Sequence, residues 1–324
     1  MFEAIQAKAD TIFRPASKPT IYFIGMTTGK SSILRVFPKW AEFLGLGDVA
    51  IQGIDCRWHD EPEVYWRVVE FIRDDPLSRG ALVTTHKIDL LKACRNLFAE
   101  LDPYAERMGE VSCISKCGDR LRGGAKDAIS SGLALEAFLP PEHWRMTGGE
   151  ALALGAGGSS IAITSYLMDP RHGINRPSRI VVSNRSASRL EEIGQIHAKN
   201  AAGVPIEYHL TPRPEDNDAL MAGLKPHSLV MNATGLGKDA PGSPVTGAGR
   251  FPEQGFAWDF NYRGQLVFLD QARAQAGLRR LTLEDGWVYF LHGWTRVVSE
   301  VFQVEIPTGG PVFAEIARIA REAR

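Results

Sequence analysis

Residues 80–91, GALVTTHKIDLL, set two hydroxyls (Thr84, Thr85), an imidazole (His86) and an ammonium (Lys87) between two apolar runs. The knot reads either as a helix start or as reactive groups delivered to the end of a buried strand, where parallel α/β sheets place their ligands. A second set, Gly155-Ala156-Gly157-Gly158-Ser159-Ser160, follows the apolar run 151–154 and opens a helical pattern. Glycine lets a backbone turn tightly and approach a pyrophosphate, which the N–H groups and positive end of the following helix then hold. Ser160 stands at the third-glycine position, where a small residue still allows close helix–strand packing. The next strand ends in Asn184-Arg185-Ser186, with Arg189 one turn later. An NAD site usually carries an acid there for the ribose 2′-hydroxyl; a guanidinium beside a hydroxyl and a second Arg suits the 2′-phosphate of NADP instead. Ser186 also reads as a helix N-cap.

These groups need a scaffold, and the pattern supplies one. TIYFIGM (20–26), DVAIQGID (48–55) and GALVTT read as strands. Between and after them lie helical runs: one from Ser31 through ILRVFPKWAEFLGLG with Gly45 and Gly47 as stops, then EVYWRVVEFIRDD and IDLLKACRNLFAEL. Such alternation predicts βαβ units and a largely parallel sheet. A hairpin is expected in VSCISKCGDRLRGGA, a helix from near Ala128, and a break at LPPEHWRMTGGE. Strand, glycine turn and helix follow over 150–168, then again in SRIVVSNRSASRLEEIGQIH; IEYHL, SLVMNAT and FAWDFNY are further strands. The chain therefore reads as two α/β halves joined near Asp127, without internal repeat or low-complexity tract.

Composition sets bounds on function. At 324 residues the chain is long for one core, since single domains usually stay below about 250 residues. Its 37 basic and 38 acidic residues leave a net charge of −1, with no basic stretch, which argues against a nucleic-acid partner. The N-terminus has acids and no apolar h-region, and no apolar run approaches about 20 residues, so neither a signal peptide nor a membrane span is expected. Cys56, Cys94, Cys113 and Cys117 do not form a zinc spacing and read as reduced thiols of a cytoplasmic protein.

Taken in order, several segments resemble the shikimate dehydrogenases, including the related quinate/shikimate enzymes. LGAGGSS looks like the family's glycine turn, SNRSASR like its Asn-Arg-Thr/Ser motif, MNATGLG (231–237) like its Asn-Ala-Thr segment, and WDFNY (258–262) like its Asp-x-x-Tyr strand end. GALVTTHK looks like Gly-x-Asn-Val-Thr-x-Pro-x-Lys shortened by one residue, GEVSCIS like Gly-Ala-Val-Asn-Thr, and GGAKD like Gly-x-Asn-Thr-Asp. The resemblance implies two α/β domains flanking a cleft: 1–127 plus 286–324 as the substrate domain, and 128–285 as a Rossmann-like NADP-binding domain. It implies Lys87 and Asp127 as the catalytic pair, and Ser31, Ser32, Thr84 or Thr85, Ser112, Tyr262 (a substrate-domain tyrosine) and His292 at the substrate. At the cofactor it implies Gly155, Ala156, Gly157, Gly158, Ser159, Asn184, Arg185, Ser186, Arg189, Asn232 and Thr234.

The chemistry of these residue types agrees. Reducing a ketone needs a hydride, a proton for the new alkoxide and stabilisation of that oxygen, and a Lys ammonium supplies the last two. An adjacent carboxylate orients the Lys and favours its charged form. Hydride comes from the cofactor, so no metal is required. The implied activity is reversible hydride transfer between NADP(H), with NAD left open, and a cyclic hydroxy acid such as shikimate, in aromatic amino acid biosynthesis. Alternatives are a paralogue acting on quinate or a related hydroxy acid, and a non-catalytic NADP-binding regulator, which would have no need for a Lys–Asp pair. A folate-type dehydrogenase fits less well because it lacks that order. A monomer or homodimer is expected. The departures gather on the substrate side: Gly29-Lys30-Ser31-Ser32 in place of Ser-x-Ser, Leu82 and Ser112 in place of asparagines, Lys126 in place of Thr, and His292-Gly293 in place of Gln-Ala/Gly. Groups that hold a substrate's hydroxyls discriminate strongly, so these positions bear on substrate identity. His86 reads as structural.

Overall fold

A computed structural model describes residues 13, 15–199, 203–238 and 240–323. The chain divides into two compact units, residues 1–126 with 293–324 and residues 127–292. Asp127, expected to close the first unit, opens the second. The later division falls at His292/Gly293, inside a helix, rather than in the loop near 286.

The first unit contains β1 (Thr20–Gly25), α1 (Ile33–Phe43), β2 (Ala50–Asp55), α2 (Pro62–Asp74), β3 (Ser78–Val83), α3 (Lys87–Cys94), β4 (Phe98–Leu101), α4 (Pro103–Met108), β5 (Cys113–Cys117) and β6 (Arg120–Gly124). The strands form one sheet in the order β2-β1-β3-β5-β6-β4. It is mixed: the expected hairpin β5–β6 is antiparallel, and β5 also runs antiparallel to β3. The segment IDLLKACRNLFAEL is not one helix. Its helix stops at Cys94, a 3₁₀ turn covers Arg95–Leu97, and Phe98–Leu101 pairs in parallel with β6. In α1, Ile33, Val36, Phe37, Trp40 and Ala41 recur at helical spacing and are all buried, each large side chain contributing about 1.5–3 kcal/mol over exposure. Gly45 (φ 65°) and Gly47 (φ 80°) follow it in the left-handed region, as stop signals should.

The second unit contains α5 (Asp127–Glu136), α6 (His143–Thr147), β7 (Ala151–Leu154), α7 (Gly158–Leu167), β8 (Ile180–Asn184), α8 (Ala187–Ala198), β9 (Ile206–Leu210), α9 (Pro214–Ala222), β10 (Leu229–Asn232), β11 (Phe256–Asp259), α10 (Val267–Arg273), α11 (Ala276–Arg279) and β12 (Thr282–Glu284). Helix α12 (Trp287–Phe302) crosses the division, and α13 (Gly310–Ala323) packs on α1, where Trp40 Nε1 donates to the Ile316 carbonyl at 2.9 Å. The second sheet is parallel throughout, in the order β12-β11-β10-β7-β8-β9. Counted from β7, this is the 3-2-1-4-5-6 order of a Rossmann fold, and its switch point lies between β7 and β10. Leu152, Leu154, Val181, Val230, Ala257 and Phe268 lie in the core on this sheet. Helices α5 and α7 meet closely: a Cβ on Gly132 would lie 2.1 Å from the Tyr166 ring.

Candidate functional site

The first unit gathers one set of expected residues at the C-terminal ends of β1, β2 and β3. The Thr84 amide and hydroxyl both donate to the Ile24 carbonyl (3.0 and 3.1 Å), which ties the start of the loop to the end of β1. Thr85 is exposed. His86 is buried, shares a 3.0 Å hydrogen bond with Tyr65 Oη, and is pushed by burial below the ordinary histidine range. A neutral histidine bonded to Tyr65 suits the structural role read for His86. Lys87, half-buried, opens α3.

A ladder of backbone bonds connects Lys87 to the end of the unit. The Lys87 carbonyl accepts from the Val111 amide (3.2 Å), and the next residue, Ser112, donates its amide to the Gly124 carbonyl (2.9 Å). Ser112 Oγ accepts the Lys126 amide at 2.8 Å. Ser112 is thus buried and engaged in holding the peptide just before Asp127. Lys126 carries its own partners: its ammonium lies 3.2 Å from Asp102 and 3.4 Å from Glu300. Burial alone would lower the Lys126 pKa, but Cys113, Asp102 and Glu300 outweigh it and raise it, so this lysine stays charged. Ser31 and Ser32 lie half-buried before α1, whose N-cap position, Ser32, makes no capping bond. Nearby, the Thr28 amide and hydroxyl both bind Asp55 Oδ1 (2.7 and 2.6 Å), in space that a Cβ on Gly53 would fill.

Leu82 stands in register with Phe23 on β1 and Cys113 on β5, so the three share one face of the sheet. Trp294 meets the Phe23 ring edge-on at 5.1 Å. That face is apolar where the family resemblance places an amide.

Asp127, Tyr262 and His292 all belong to the second unit. Tyr262 follows β11, inside the range 128–285 read as the cofactor domain, and its ring packs on Trp287 and Phe290 (centroids 5.7 and 4.8 Å). His292 is buried in α12. One turn before it, Tyr289 donates its hydroxyl to Asp127 Oδ2 at 3.2 Å. Sequence reasoning did not single out Tyr289; an aromatic three residues before His292 on one helix face was the available signal.

The residues expected at the cofactor lie at the C-terminal ends of β7, β8 and β10 and at the starts of α7 and α8. Gly155 adopts φ 105°, and a Cβ there would lie 3.0 Å from the Ala233 carbonyl, so only glycine lets the β10 loop close against the turn. The Gly155 amide donates to the Ser183 carbonyl (2.8 Å), which ties the turn to β8. Ser160 Oγ donates to the Gly155 carbonyl (2.5 Å) from inside the helix, using the small third position to close the turn. Ala156 is buried, whereas Gly157, Gly158 and Ser159 reach the surface. Gly157 is the N-cap of α7, makes no side-chain capping bond, and has open space where a Cβ would point. The first-turn amides of α7 therefore face an open cradle suited to a pyrophosphate.

At the end of β8, Asn184 Nδ2 donates to the Ser186 carbonyl (3.2 Å) and shapes the turn that exposes Arg185. Among the described residues the Arg185 guanidinium has no ion-pair partner, while Arg189 is paired with Glu192 at 2.7 Å. Ser186 holds the N-cap position of α8, but its hydroxyl bonds Ser188 rather than capping the helix. An unpaired cation beside two hydroxyls fits a 2′-phosphate. Asn232 is fully buried, and its Oδ1 accepts from the Thr234 amide and hydroxyl (3.1 and 2.6 Å), folding the loop on itself. Among the described residues no three His, Cys, Asp or Glu side chains come together as a metal would need, and no helix is long and apolar enough to cross a membrane. Burial pushes the Cys56, Cys94 and Cys113 thiols up to about 12.

No protein-family model matches the chain. Curated relatives do. The chain is 31% identical over 215 residues, 66% of its length and 68% of the relative's, to a shikimate dehydrogenase (NADP(+)) of Stenotrophomonas maltophilia. It is 24% identical over 224 residues to one of Lactococcus lactis, covering 73% of that protein, but the match to one of Streptococcus gordonii covers 58% of its length. Among solved structures, a shikimate 5-dehydrogenase of Thermus thermophilus in complex with NADP(H) and shikimate superposes with a TM-score of 0.69 at 22% identity, covering 94% of this chain and 99% of that one. A quinate dehydrogenase of Corynebacterium glutamicum in complex with NAD gives a TM-score of 0.73 at 16% identity, with coverage of 94% and 99%. With both sheets in that fold and these relatives in sequence, the chain belongs to the shikimate dehydrogenase family.

Proposed function

We propose that this protein is an NADP-dependent dehydrogenase that reversibly oxidises a cyclic hydroxy acid of the shikimate class to its ketone. The observation that carries the cofactor reading is the uncapped N-terminus of α7 behind the Gly155 turn, with the unpaired Arg185 at the end of the adjacent strand. Bound NADP supplies the hydride acceptor and, reduced, the donor. The first-turn amides of α7 would hold the pyrophosphate, and Arg185 with Ser186 would hold the 2′-phosphate. Lys87 gives a proton to the carbonyl oxygen during reduction and stabilises the charge that develops there; Asp127, oriented by Tyr289, is its partner carboxylate. Thr84 or Thr85, Ser31, Ser32 and His292 hold the substrate, with Ser112 acting on the peptide that precedes Asp127.

The apolar row Phe23–Leu82–Cys113 favours a second reading within the same chemistry, a hydroxy acid such as quinate or another relative rather than shikimate itself. The near-zero net charge supports a small-molecule partner over a nucleic acid, for a cytoplasmic monomer or homodimer. The test is incubation with NADP and with NAD against shikimate, quinate and analogues lacking single ring hydroxyls. Cofactor reduction by one of these, faster with NADP, is expected. Inertness of the whole panel with both cofactors would remove the substrate reading.

A further inference from the structure

Asp259, the last residue of β11, is fully buried although it is a carboxyl group. It lies in register with Asn232 on β10, which pairs in turn with Leu154, one residue before the glycine turn. Asp259 Oδ2 accepts from Asn232 Nδ2 (3.1 Å) and Oδ1 accepts from the Asn261 amide (2.9 Å). Asn232 Oδ1 is occupied by the Thr234 amide and hydroxyl, and Thr234 Oγ1 accepts the Leu236 amide (3.2 Å). Asn261 Nδ2 closes the loop from the other side, donating to the carbonyls of Thr234 (3.3 Å) and Leu236 (3.1 Å). The result places the Ala233 carbonyl and the Thr234 methyl against Gly155.

We infer that Asp259 is a positioning residue of the cofactor site: its carboxylate fixes the orientation of the Asn232 amide, which sets residues 233–236 against the glycine turn. The argument is one of donors and acceptors. Asn232 and Asn261 point N–H groups at both oxygens of Asp259, and the ionised carboxylate is the acceptor-only form that takes them with no proton to place. A flipped Asn232 would turn its amino group toward the two Thr234 donors, so the amide has one workable orientation while Asp259 is charged. The inference rests on the proposed NADP site and adds the group that shapes its second wall.

Charge here is costly, which fits a functional rather than a stabilising role. Burial lifts Asp259 to about 6, and Asp285 pushes the same way. Asn232 on β10 and Asn261 after β11 face it uncharged; the acids nearby are Glu284, the last residue of β12 and level with Trp258, and Asp285, which follows it. Protonation of Asp259 as pH falls through that range sets a hydroxyl among these donors and loosens the Asn232 amide, which keeps its bonds to Thr234 and to the Leu236 carbonyl.

The experiment measures NADP affinity of the wild type and of Asp259→Asn by titration near neutral pH and near pH 5, with circular dichroism to confirm folding. An asparagine keeps the size but accepts through one oxygen, so binding near neutral pH should weaken roughly tenfold, the scale of a lost charge-assisted hydrogen bond. Near pH 5 the wild type is itself protonated, so the ratio between the two proteins should fall toward one. The titration of the 2′-phosphate is common to both and cancels in that ratio. Equal affinities at both pH values, or the same deficit at both, would overturn the inference. Should Asp259→Asn fail to fold, Thr234→Val removes the next bond in the chain and must weaken NADP while Thr234→Ser does not; equal binding by both would also overturn it. A folded wild type that binds no NADP at either pH would instead bring down the functional reading on which this one rests.

Discussion

Replacing Arg185 by Ala removes a cation at the end of β8 that has no ion-pair partner among the described residues, whereas Arg189 is held by Glu192 at 2.7 Å. Charge-assisted hydrogen bonds contribute about 1.5–3 kcal/mol, and an exposed arginine belongs at the lower end because solvent screens it. About 1.5 kcal/mol corresponds to roughly a tenfold rise in the NADP dissociation constant. NAD lacks the 2′-phosphate, so its affinity should stay within about twofold, and the preference for NADP over NAD should shrink by the same roughly tenfold factor. Arg189→Ala should cost less, about 0.5 kcal/mol, because its guanidinium is shared with a carboxylate. The assay is titration of each variant with both dinucleotides at two ionic strengths; added salt should weaken NADP more than NAD in the wild type and equally in Arg185→Ala. An equal loss for NAD and NADP, or a larger effect from Arg189, would refute the assignment of the 2′-phosphate to Arg185.

Two further outcomes follow from the same geometry. Gly155→Ala places a side chain at φ 105° and 3.0 Å from the Ala233 carbonyl; it should lower stability by about 1–3 kcal/mol in urea titration and weaken NADP, whereas wild-type stability with weak NADP binding would show that the turn relaxes freely. His197 is buried between Thr164 Oγ1 (2.7 Å) and Tyr208 Oη (2.8 Å), and burial lowers its pKa to about 4. Because the folded-state value is depressed, the unfolded chain binds the proton first. The contribution of neutral His197 is therefore complete above about 6.5 and is lost as pH falls toward 4, about 3 kcal/mol in all. The stability difference between wild type and His197→Asn should narrow over that window; a constant difference would show that the histidine is not held neutral.

The parts of the fold legible in the sequence were those with local signals. The glycine turn, the Arg185 strand end and the alternation of strands with helices needed only residue type and spacing, and the hairpin β5–β6 announced itself through Gly118. What was not legible depends on distant pairing. Phe98–Leu101 has too few residues to show a period and became a strand because Leu121 and its neighbours lie beside it. Strand β12 has three residues and exists through its pairing with β11. At the site, the Lys126 cluster joins Asp102 and Glu300 from opposite ends of the chain, and the Asp259–Asn232–Thr234 bonds need the register of β10 with β11. The resemblance named Asn232 at the cofactor; that its amide turns inward to Thr234 and Asp259 needs the folded loop.

The account turns on Lys87 as the group that moves the proton, and single-turnover kinetics with Lys87→Ala test this most directly. With NADP and whichever hydroxy acid the wild type oxidises, the variant should bind NADP with unchanged affinity while its turnover falls by about 10²–10⁴, the usual worth of a positioned general acid–base. Turnover within about threefold of wild type, at equal cofactor affinity, would contradict the account.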